Sequence, residues 1–344
     1  MKYEEAITFE KLYESMNKCR CGVSWKDSVA HFLLNAPEQV EKLEKELNYG
    51  TYVPRKTKKF KITSPKPRDI ISVAFRDRVY QRSLNDNILY PAVSKGFIYD
   101  NWACQKGKGS LKARERFEEL LHRYYRKHGS DGWVGQFDVH GYYPNMRHDV
   151  VEEYFRERLD AESFDAVRNV LRSQYEGDKG YNPGSQMVQI AGISCLDKLD
   201  HFIKERLHIN VYIRYMDDFI IIHENKEYVE DCVEKIKAEL AKIGFEVNEK
   251  KTRTFPLKHG VRFLGFDYKL TETGKVLKFI RPDRVKAEIK KLRRLVAKAK
   301  RGEITKEQVD MSYQSWRNHA SYGNSHSLLM RMDVLYRKMW ENDV

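Results

Sequence analysis

Two adjacent aspartates, Asp217 and Asp218, stand between two apolar runs that are rich in β-branched residues, VYIRYM and FIIIH. The two runs predict a β-hairpin with the acidic pair at its turn. Asp is common in turns because its side chain caps the local backbone, but here Met216 and Phe219 enclose the pair. Two neighbouring carboxylates repel each other unless a cation screens them. The pattern therefore favours a site for Mg²⁺, which prefers oxygen ligands.

A third aspartate, Asp138, ends another apolar stretch, WVGQFD. On its own it would be an ordinary acid at a strand end. With the hairpin pair it completes three carboxylates on neighbouring strands. Phosphoryl transfer to a 3′-hydroxyl uses two metal ions about 3.5–4 Å apart, and three carboxylates are the minimum scaffold for them. The residues therefore predict a catalytic site for two Mg²⁺ ions, with Mn²⁺ as a substitute.

The net charge of +13 is concentrated in two segments of the 344-residue chain. Residues 51–82 contain ten Lys or Arg and two acids, and residues 281–301 contain ten Lys or Arg and two acids. Either segment alone would fit a solvated helix face. Two such segments on either side of the carboxylates predict opposite walls of a channel for a phosphate backbone.

Several classes of protein are disfavoured by the composition. The charged N-terminus, MKYEEAITFEKLYESMNK, has no apolar core of a secretory signal, and no apolar run approaches the roughly 18 residues of a membrane span. The five cysteines show no paired CxxC pattern, which favours free thiols in a reducing compartment. The expected location is the cytoplasm, with no membrane partner.

The elements that must position the aspartates form an α+β pattern. Residues 1–50 are expected to be helical and to close on Gly50, and the following Pro- and Thr-rich stretch predicts a hairpin. RDRVYQRSLNDNILYPAV predicts a helix stopped by Pro91, and FEVNEKKTRTF and VRFLGFDYKL predict strands. From about residue 282 the chain is expected to be helical and basic. The order of helices and strands predicts a fold built around an antiparallel sheet.

The motifs, taken together and in order, resemble those of reverse transcriptases. Tyr215-Met216-Asp217-Asp218 resembles their YxDD signature, and Asp138 followed by Tyr142 and Tyr143 resembles their first palm motif. Four further segments occur in the family's order: Lys66-Pro67-Arg68 resembles a fingers motif, FEVNEKKT (residues 245–252) the next palm motif, Phe263-Leu264-Gly265 the primer grip, and residues 315–326 the thumb of compact bacterial enzymes.

The resemblance implies a right-hand polymerase fold with fingers, palm and helical thumb. The implied subdomains are a helical N-terminal extension (1–50), fingers (51–135), a palm (136–275) with a helical insertion at about 150–182, and a basic thumb (276–344). In the thumb, Val285, Ile289, Leu292 and Val296 recur at helical spacing. One face of that helix is therefore expected to pack inward, while the Lys and Arg face lies along a duplex.

The resemblance also implies a role for each site residue. Asp138 and Asp217 would bind both metal ions, with Asp218 as a looser ligand and the Val139 carbonyl as a further one. Tyr143 would exclude a 2′-hydroxyl, while Lys66 and Arg68 would neutralise the triphosphate. Lys251, or alternatively Lys250, would protonate pyrophosphate. The remaining implied contacts are Gly184 and Gln189 with the nucleotide, and Tyr215, Met216, Leu264, Gly265, Lys290 and Arg294 with nucleic acid.

One segment departs from the family's common pattern. Where most members have Pro-Gln-Gly-x-x-x-Ser-Pro, this chain has Asn182-Pro183-Gly184-Ser185-Gln186-Met187-Val188-Gln189. Gly184 is retained, which allows close backbone approach. The segment is closer to the version found in diversity-generating retroelements. Three lineages stay open: a diversity-generating element, a group II intron relative and a phage-defence enzyme, all bacterial or phage-encoded.

The expected function is RNA-directed DNA polymerase within a prokaryotic retroelement. Its partners would be an RNA template with nascent DNA, deoxynucleoside triphosphates, a structured non-coding RNA and a small accessory protein. A defence relative with template-independent or protein-primed synthesis is an alternative, and so is a non-catalytic RNA-binding scaffold. RNA-dependent RNA synthesis is a further alternative, which Tyr143 disfavours.

Overall fold

The computed structural model describes residues 1–62, 67–182 and 184–341. This part of the chain divides into two compact units. The first comprises Met1–Gly109, Gln136–Ile221 and Glu230–Arg253. The second comprises Ser110–Gly135, Ile222–Val229 and Thr254–Val344. The four subdomains expected from the sequence, 1–50, 51–135, 136–275 and 276–344, stay predictions.

Helices make up most of both units. In chain order they are α1 (Tyr3–Ala6), α2 (Phe9–Arg20), α3 (Asp27–Leu34), α4 (Ala36–Asn48), α5 (Phe75–Leu84), α6 (Tyr90–Val93), α7 (Ser110–His128), α8 (Tyr142–Asn145), α9 (His148–Arg156), α10 (Ala161–Arg172), α11 (Gln186–Cys195), α12 (Asp197–His201), α13 (Lys226–Lys242), α14 (Pro282–Lys300), α15 (Lys306–Ala320) and α16 (His326–Glu341). Two π-helical turns, Asn85–Leu89 and Phe202–Arg206, and a 3₁₀ turn, Leu257–His259, join some of them.

The strands form three sheets. They are β1 (Lys58–Ile62), β2 (Arg68–Ser72), β3 (Trp133–Asp138), β4 (Val211–Tyr215), β5 (Asp218–His223), β6 (Arg253–Pro256), β7 (Val261–Phe263), β8 (Phe266–Leu270) and β9 (Val276–Ile280). β1 and β2 form an antiparallel pair, and β7, β8 and β9 form an antiparallel sheet in that order. The strands that carry the three aspartates lie in the remaining sheet, whose order is β4-β5-β3-β6.

Most predicted elements are confirmed at the expected places. Helices fill residues 1–50, and Gly50 follows α4 with a φ of 66°, a conformation that costs glycine little. The predicted hairpin in the basic stretch is β1 and β2, with Phe60 opposite Ile70. The hairpin predicted around the acidic pair is β4 and β5.

Two predicted elements are wrong in detail. The helix around Pro91 continues to Val93 instead of ending at the proline. A π-helical turn, Asn85–Leu89, comes directly before it, and Tyr90 donates its backbone N–H to the Asn85 carbonyl. The wider turn leaves room for the proline ring, which would clash with a carbonyl in a regular α-helix. In FEVNEKKTRTF the regular strand begins at Arg253, because residues 248–252 form a turn closed by the Asn248 carbonyl.

The C-terminal helices of the second unit have their own apolar core. Leu292 of α14, Tyr313 of α15 and Met332 of α16 are buried together. Val285 and Ile289 pack against this core. The inward face predicted for the basic helix is therefore confirmed.

No helix in the described part of the chain is long and apolar enough to cross a membrane. All five cysteines are free thiols, as the sequence predicts.

Candidate active site

The acidic pair lies at a tight hairpin turn. β4 ends at Tyr215 and β5 begins at Asp218, so Met216 and Asp217 alone make the connection. Met216 adopts a φ of 58°, a left-handed conformation that is unusual for a residue other than glycine. Such a conformation persists only where the surroundings hold it. The Arg214 guanidinium is one such contact, because its Nη1 donates a hydrogen bond of 3.1 Å to the Met216 carbonyl.

A stacked pair of phenylalanines brings the third aspartate to the hairpin. Phe137, next to Asp138, and Phe219, next to Asp218, are both fully buried. Their ring centroids are 4.5 Å apart and their planes 11° apart. Since β3 and β5 are neighbours in the sheet, this pair fixes their register and places both aspartates at the same position along the sheet. The three predicted catalytic residues are therefore brought together.

The negative charges of the other two aspartates affect the pKa of Asp218. The pKa of Asp218 is raised from 3.8 to about 6, first by burial and then by the negative charges of Asp217 and Asp138. The Lys251 ammonium opposes this shift. Around Asp218, two carboxylates thus face one ammonium, so negative charge is in excess. Like charges this close are costly unless a cation screens them.

The segment that precedes β6 lines the Asp138 side of the site. Val247 forms an antiparallel bridge with Val139, and the Asn248 N–H donates to the Asp138 carbonyl at 2.7 Å. The Asp138 N–H in turn donates to Thr252 Oγ1 at 3.4 Å. Through these contacts Lys251 and Thr252, the last two residues of the FEVNEKKT motif, lie beside Asp138.

Lys251 forms a two-pronged ion pair with Asp138. Its Nζ lies 2.8 Å from Oδ1 and 2.9 Å from Oδ2 of that carboxylate. The lysine is more than half exposed, whereas the aspartate side chain is 21% exposed. The sequence predicts Lys251 near the leaving group, and the structure adds that its ammonium is held by the carboxylate of Asp138, one of the predicted catalytic residues.

The donor set suits a divalent cation of the hard, oxygen-preferring kind. In residues 1–62, 67–182 and 184–341, no three His, Cys, Asp or Glu side chains already stand at the spacing of a metal site. The chemistry of the three aspartates nevertheless fits Mg²⁺ or Mn²⁺, because all are carboxylates, and burial together with the charges of Asp217 and Asp138 raises the pKa of Asp218. The residues that would hold the ions are Asp138, Asp217 and Asp218.

A buried ion pair, missed by the sequence reasoning, lies under the hairpin. Arg214 and Asp200 are both fully buried. Arg214 Nε donates to Asp200 Oδ1 at 2.7 Å, and its Nη2 donates to the Ile193 carbonyl at 3.0 Å. The Tyr212 hydroxyl also donates to Asp200. The arginine in the apolar run VYIRYM was the available signal, since a charge there must be paired.

The predicted steric gate, Tyr143, is half-buried and packs against α11. A Cβ placed on Gly192 would lie 3.2 Å from the Tyr143 hydroxyl and 3.5 Å from its ring. The hydroxyl of the neighbouring Tyr142 donates to the Gly192 carbonyl. Glycine inside a helix costs about 1 kcal/mol, so the contact with both tyrosines gives Gly192 a reason to be there. The sequence reasoning missed this residue.

The Gly-containing segment before α11 also makes a close approach, but to a strand. A Cβ on Gly184 would lie 3.0 Å from the Ile71 carbonyl of β2. Ser185 caps α11 by accepting a hydrogen bond of 3.2 Å from the Val188 N–H. Gln189, in the first half of α11, is half-buried. Pro183 of this motif lies outside the described residues.

The other predicted site residues are distributed over both units. Lys66 lies outside the described residues, and of Arg68 only the backbone, paired with Ile62 in β2, is described. Tyr215 and Met216 belong to the hairpin of the first unit. The remaining residues belong to the second unit: Leu264 and Gly265 make a turn with positive φ, and Lys290 and Arg294 are exposed on α14.

Comparisons with known proteins give one family match. Residues 56–268 match the family described as reverse transcriptase (RNA-dependent DNA polymerase). This match covers more than half of the chain and includes all three aspartates. It confirms the resemblance to reverse transcriptases for the motifs within residues 56–268, the nucleotidyltransferase class and, with the antiparallel sheets, the predicted fold class. A search of curated proteins found no match.

The solved structures that are similar to this chain include two structures of apo telomerase from Candida tropicalis. One, truncated from the C-terminal domain, is 17% identical with a TM-score of 0.48, and the alignment covers 68% of this chain and 58% of that chain. The other is 16% identical with a TM-score of 0.45, and the alignment covers 70% of this chain and 53% of that chain. This chain therefore spans little more than half the length of either.

Proposed function

The chain belongs to the reverse transcriptase (RNA-dependent DNA polymerase) family, and on this premise we propose that it copies an RNA template into DNA. One observation carries the proposal. Asp138, Asp217 and Asp218 converge at the end of two neighbouring strands, where burial and then the negative charges of Asp217 and Asp138 raise the pKa of Asp218 to about 6. A cluster of that kind is destabilising for a scaffold and useful to an enzyme that binds cations.

The aspartates hold and orient the reacting groups. Divalent ions held by these carboxylates would supply activation of the 3′ oxygen of the primer and stabilisation of the charge on the leaving pyrophosphate. Asp138 and Asp217 would be the main ligands of these ions, and Asp218 would be the weaker ligand. The Phe137 and Phe219 stack keeps the carboxylates in register, and Arg214 keeps the turn in place.

Lys251 is the proton donor that we assign to the leaving group. Its Nζ is held against both oxygens of Asp138 at 2.8 and 2.9 Å. The ammonium contributes one positive charge to a site that handles a triphosphate, and transfer of a proton from Nζ to the pyrophosphate oxygen removes charge as it develops. Arg68 and Lys66 would bind the phosphates from the fingers side.

Tyr143 is the residue that we assign to discrimination against ribonucleotides. Its ring packs against Gly192 of α11, which limits the space into which the ring could move away from a 2′-hydroxyl. Tyr143→Ala should raise the efficiency of ribonucleotide incorporation relative to deoxynucleotide incorporation by about tenfold to a hundredfold, the size of a steric clash of about 1.4–2.7 kcal/mol. Tyr143→Phe, which keeps the ring, is the matched control. Unchanged discrimination in Tyr143→Ala would remove the gate assignment.

Primer extension on defined templates tests the proposed function. Reactions with Mg²⁺ should extend a primer on RNA with deoxynucleotides, with little product from ribonucleotides. A reaction without template separates copying from template-independent synthesis. A reaction without primer, analysed for DNA attached to the protein, separates it from protein-primed synthesis. Product that ignores the template sequence would favour the defence-type alternative. RNA binding without any synthesis would favour the non-catalytic scaffold.

The biological setting is proposed from the sequence and from composition. We place the chain in a prokaryotic retroelement, in the cytoplasm, with a structured non-coding RNA and a small accessory protein as partners. The departure around Gly184 and Gln189 leaves three lineages: diversity-generating, intron-related and defence. The genes beside this one distinguish them, because a template and variable repeat pair, an intron or a defence cassette would each identify its own lineage.

A further inference from the structure

The loop that follows α6 attaches to the edge of the sheet that carries the three aspartates. β4 is the outermost strand in the order β4-β5-β3-β6, so its outer side is open to a further segment. The Trp102 N–H donates to the Arg214 carbonyl at 2.9 Å, and the Arg214 N–H donates to the Asp100 carbonyl at 3.0 Å. Between them, Asn101 forms a parallel bridge with Arg214. This short segment therefore covers the edge of the strand that leads to Asp217.

One lysine side chain binds the same segment. Lys108 Nζ donates to the Tyr99 carbonyl at 2.7 Å and to the Asn101 carbonyl at 2.6 Å. The same Nζ lies 5.4 Å from the centre of the Tyr99 ring and 5.2 Å from that of the Trp102 ring. Hydrogen bonds from a charged donor are stronger than those between neutral groups, and aromatic rings attract a nearby ammonium. A single side chain therefore holds residues 99–102 through four contacts.

The backbone of the loop turns so that Lys108 returns to the start of the segment. Gly107 and Gly109 flank the lysine with φ values of 74° and 146°, and positive values cost glycine little. The Lys108 N–H donates to the Gln105 carbonyl at 3.2 Å. Gln105 Nε2 in turn donates to the Asn101 carbonyl at 2.7 Å. The loop is thus closed by its own hydrogen bonds, with the Lys108 amino group directed at the residues that cover β4.

The charge of Lys108 lies near the buried ion pair under the hairpin. Burial lowers the pKa of the Lys108 amino group to about 8, and the negative charges of Asp100 and Asp200 act in the opposite direction. The Arg214 guanidinium, which is paired with Asp200, adds to the lowering. The lysine and the buried pair therefore form one group of interacting charges. Within that group, Arg214 also donates to the Met216 carbonyl in the hairpin turn.

We propose that Lys108 is a positioning residue for the β4–β5 hairpin, since it holds residues 99–102 against β4 and thereby fixes the position of Asp217. The inference rests on the proposed function, because the hairpin is catalytic only if the chain synthesises DNA. The effect of Lys108 passes through the backbone hydrogen bonds of Arg214, whose side chain also binds the turn. An error of about 1 Å in the position of a catalytic group is enough to lower a rate about a hundredfold.

Removal of the Lys108 amino group is expected to loosen the segment without unfolding the protein. In Lys108→Met the Tyr99 carbonyl loses the hydrogen bond from Nζ, whereas the Asn101 carbonyl keeps the one from Gln105. Methionine retains the unbranched apolar chain of the lysine and packs well beside aromatic rings. This variant therefore tests the position of the hairpin rather than the folding of the chain.

Steady-state primer extension compares Lys108→Met with Lys106→Met. In Lys108→Met, kcat should fall about tenfold to a hundredfold, while KM for deoxynucleotides and Kd for a primer–template duplex stay within about twofold of wild type. Lys106 is the matched control, because it is exposed in the same loop and its amino group lies over the ring of Tyr90 instead of contacting residues 99–102. Lys106→Met should therefore keep the kcat of the wild type.

A conservative variant and the binding constants separate positioning from other roles. Lys108→Arg keeps the charge and offers N–H donors to the same two carbonyls, so its kcat should lie within about threefold of wild type. A kcat in Lys108→Arg as low as in Lys108→Met would overturn the proposal, and so would an equal loss in Lys106→Met. A loss of duplex affinity as large as the loss of kcat would also overturn it, because Lys108 would then bind nucleic acid itself.

Hydrogen–deuterium exchange, measured by mass spectrometry, tests the attachment of the segment without any synthesis. In Lys108→Met, amides in residues 211–217 should exchange about tenfold faster or more, because the Arg214 N–H is separated from the Asp100 carbonyl for a larger fraction of the time. Amides of α10, elsewhere in the first unit, should exchange as in the wild type. Faster exchange throughout the first unit would show a general loss of stability and would overturn the positioning role.

The two measurements distinguish this inference from the proposed function. If the wild type does not extend primers but exchange in residues 211–217 depends on Lys108, the positioning of the hairpin stands and the polymerase activity falls. If primers are extended and exchange in residues 211–217 is the same in Lys108→Met as in the wild type, the inference falls alone.

Discussion

Two clusters of charged side chains contact the β4–β5 hairpin, and they differ in how their charges are paired. Arg214 and Asp200 are fully buried, and each nitrogen of the guanidinium donates to a carboxylate or a carbonyl. Asp138, Asp217 and Asp218 are partly buried, with negative charge in excess around Asp218. The first cluster pairs its two opposite charges, whereas in the second two carboxylates and one ammonium act on Asp218.

This difference distinguishes charged residues that stabilise the fold from charged residues that we propose bind metal ions. A buried pair that is fully hydrogen-bonded holds its surroundings in one arrangement, and removal of one partner leaves an unpaired charge in the interior. A cluster of like charges costs stability and shifts the pKa of its members, which is typical of sites that bind ions or substrates. Arg214 links the two, because it donates to the Met216 carbonyl directly before Asp217.

The largest expected effect is on activity, from the functional cluster. Asp217→Asn keeps the shape of the side chain and removes the charge that would bind both ions. RNA-templated primer extension should fall about a thousandfold or more, because metal stabilisation of the transition state contributes several kcal/mol. The circular dichroism spectrum and the unfolding midpoint should stay at or above the wild-type values. An Asp217→Asn protein that is unfolded, or one that retains full activity, would contradict the proposed difference between the two clusters.

The next effect is on stability, from the structural cluster. Arg214→Met leaves the Asp200 carboxylate buried without its partner and should lower the free energy of unfolding by about 3–5 kcal/mol. Urea unfolding measures this loss. Arg214→Met combined with Asp200→Leu removes both charges and should recover much of it. The double variant should still extend primers less well than wild type, since the Met216 turn has lost its hydrogen bond.

An exposed ion pair is the control for that prediction. Lys45 and Glu41 are more than half exposed on α4, and Lys45→Met should leave the free energy of unfolding close to that of the wild type. A similar loss in Lys45→Met and Arg214→Met would contradict the structural role assigned to the buried pair.

The smallest expected effect is a gain in stability that depends on pH. The pKa of Asp218 is raised to about 6 in the folded protein, above its value in the unfolded chain. Between about pH 4 and pH 6 the folded protein therefore holds a proton that the unfolded chain has lost, so stability falls as the pH rises through this window. Without divalent cations, Asp218→Asn should be more stable than wild type above pH 6, by about 1–2 kcal/mol, and equal to it near pH 4.

An aspartate with the opposite shift is the matched control. In Asp333, the Arg317 guanidinium lowers the pKa of the carboxyl. Its stabilising contribution is present above the unfolded pKa and is lost as the pH falls below it. Asp333→Asn should therefore lower the unfolding midpoint at neutral pH, where Asp218→Asn raises it. Thermal melts across pH 4–8 in the presence of a chelator measure both, and shifts of the same sign would refute the comparison.

The sequence predicted that the three aspartates lie together, because most of that pattern is local. Asp217 and Asp218 are adjacent, their hairpin follows from two apolar runs, and the Lys251 and Thr252 motif is contiguous. The structure added what brings Asp138 to them, the stack of Phe137 on Phe219. Both phenylalanines are visible in the sequence, but the sequence does not reveal which strands are neighbours.

The sequence did not predict the structural cluster because its partners are distant along the chain. Arg214 bonds to Asp200 and to the Ile193 carbonyl, across helices whose packing no local pattern encodes. The role of Gly192 was not predicted for the same reason, since it depends on the packing of Tyr143 against this glycine. The helix end predicted at Pro91 was wrong because a π-helical turn accommodates the proline ring. Such a turn has no simple sequence pattern.

Titration of Mn²⁺, followed by electron paramagnetic resonance of the unbound ion, tests most directly that the three aspartates form a cation site. The wild type should bind Mn²⁺, with Mg²⁺ as a competitor, and Asp138→Asn and Asp217→Asn should each weaken binding by about tenfold or more. Asp333→Asn should leave binding unchanged. If Asp138→Asn and Asp217→Asn bind Mn²⁺ as tightly as the wild type, the aspartates do not hold the ions, and the account of this site is wrong.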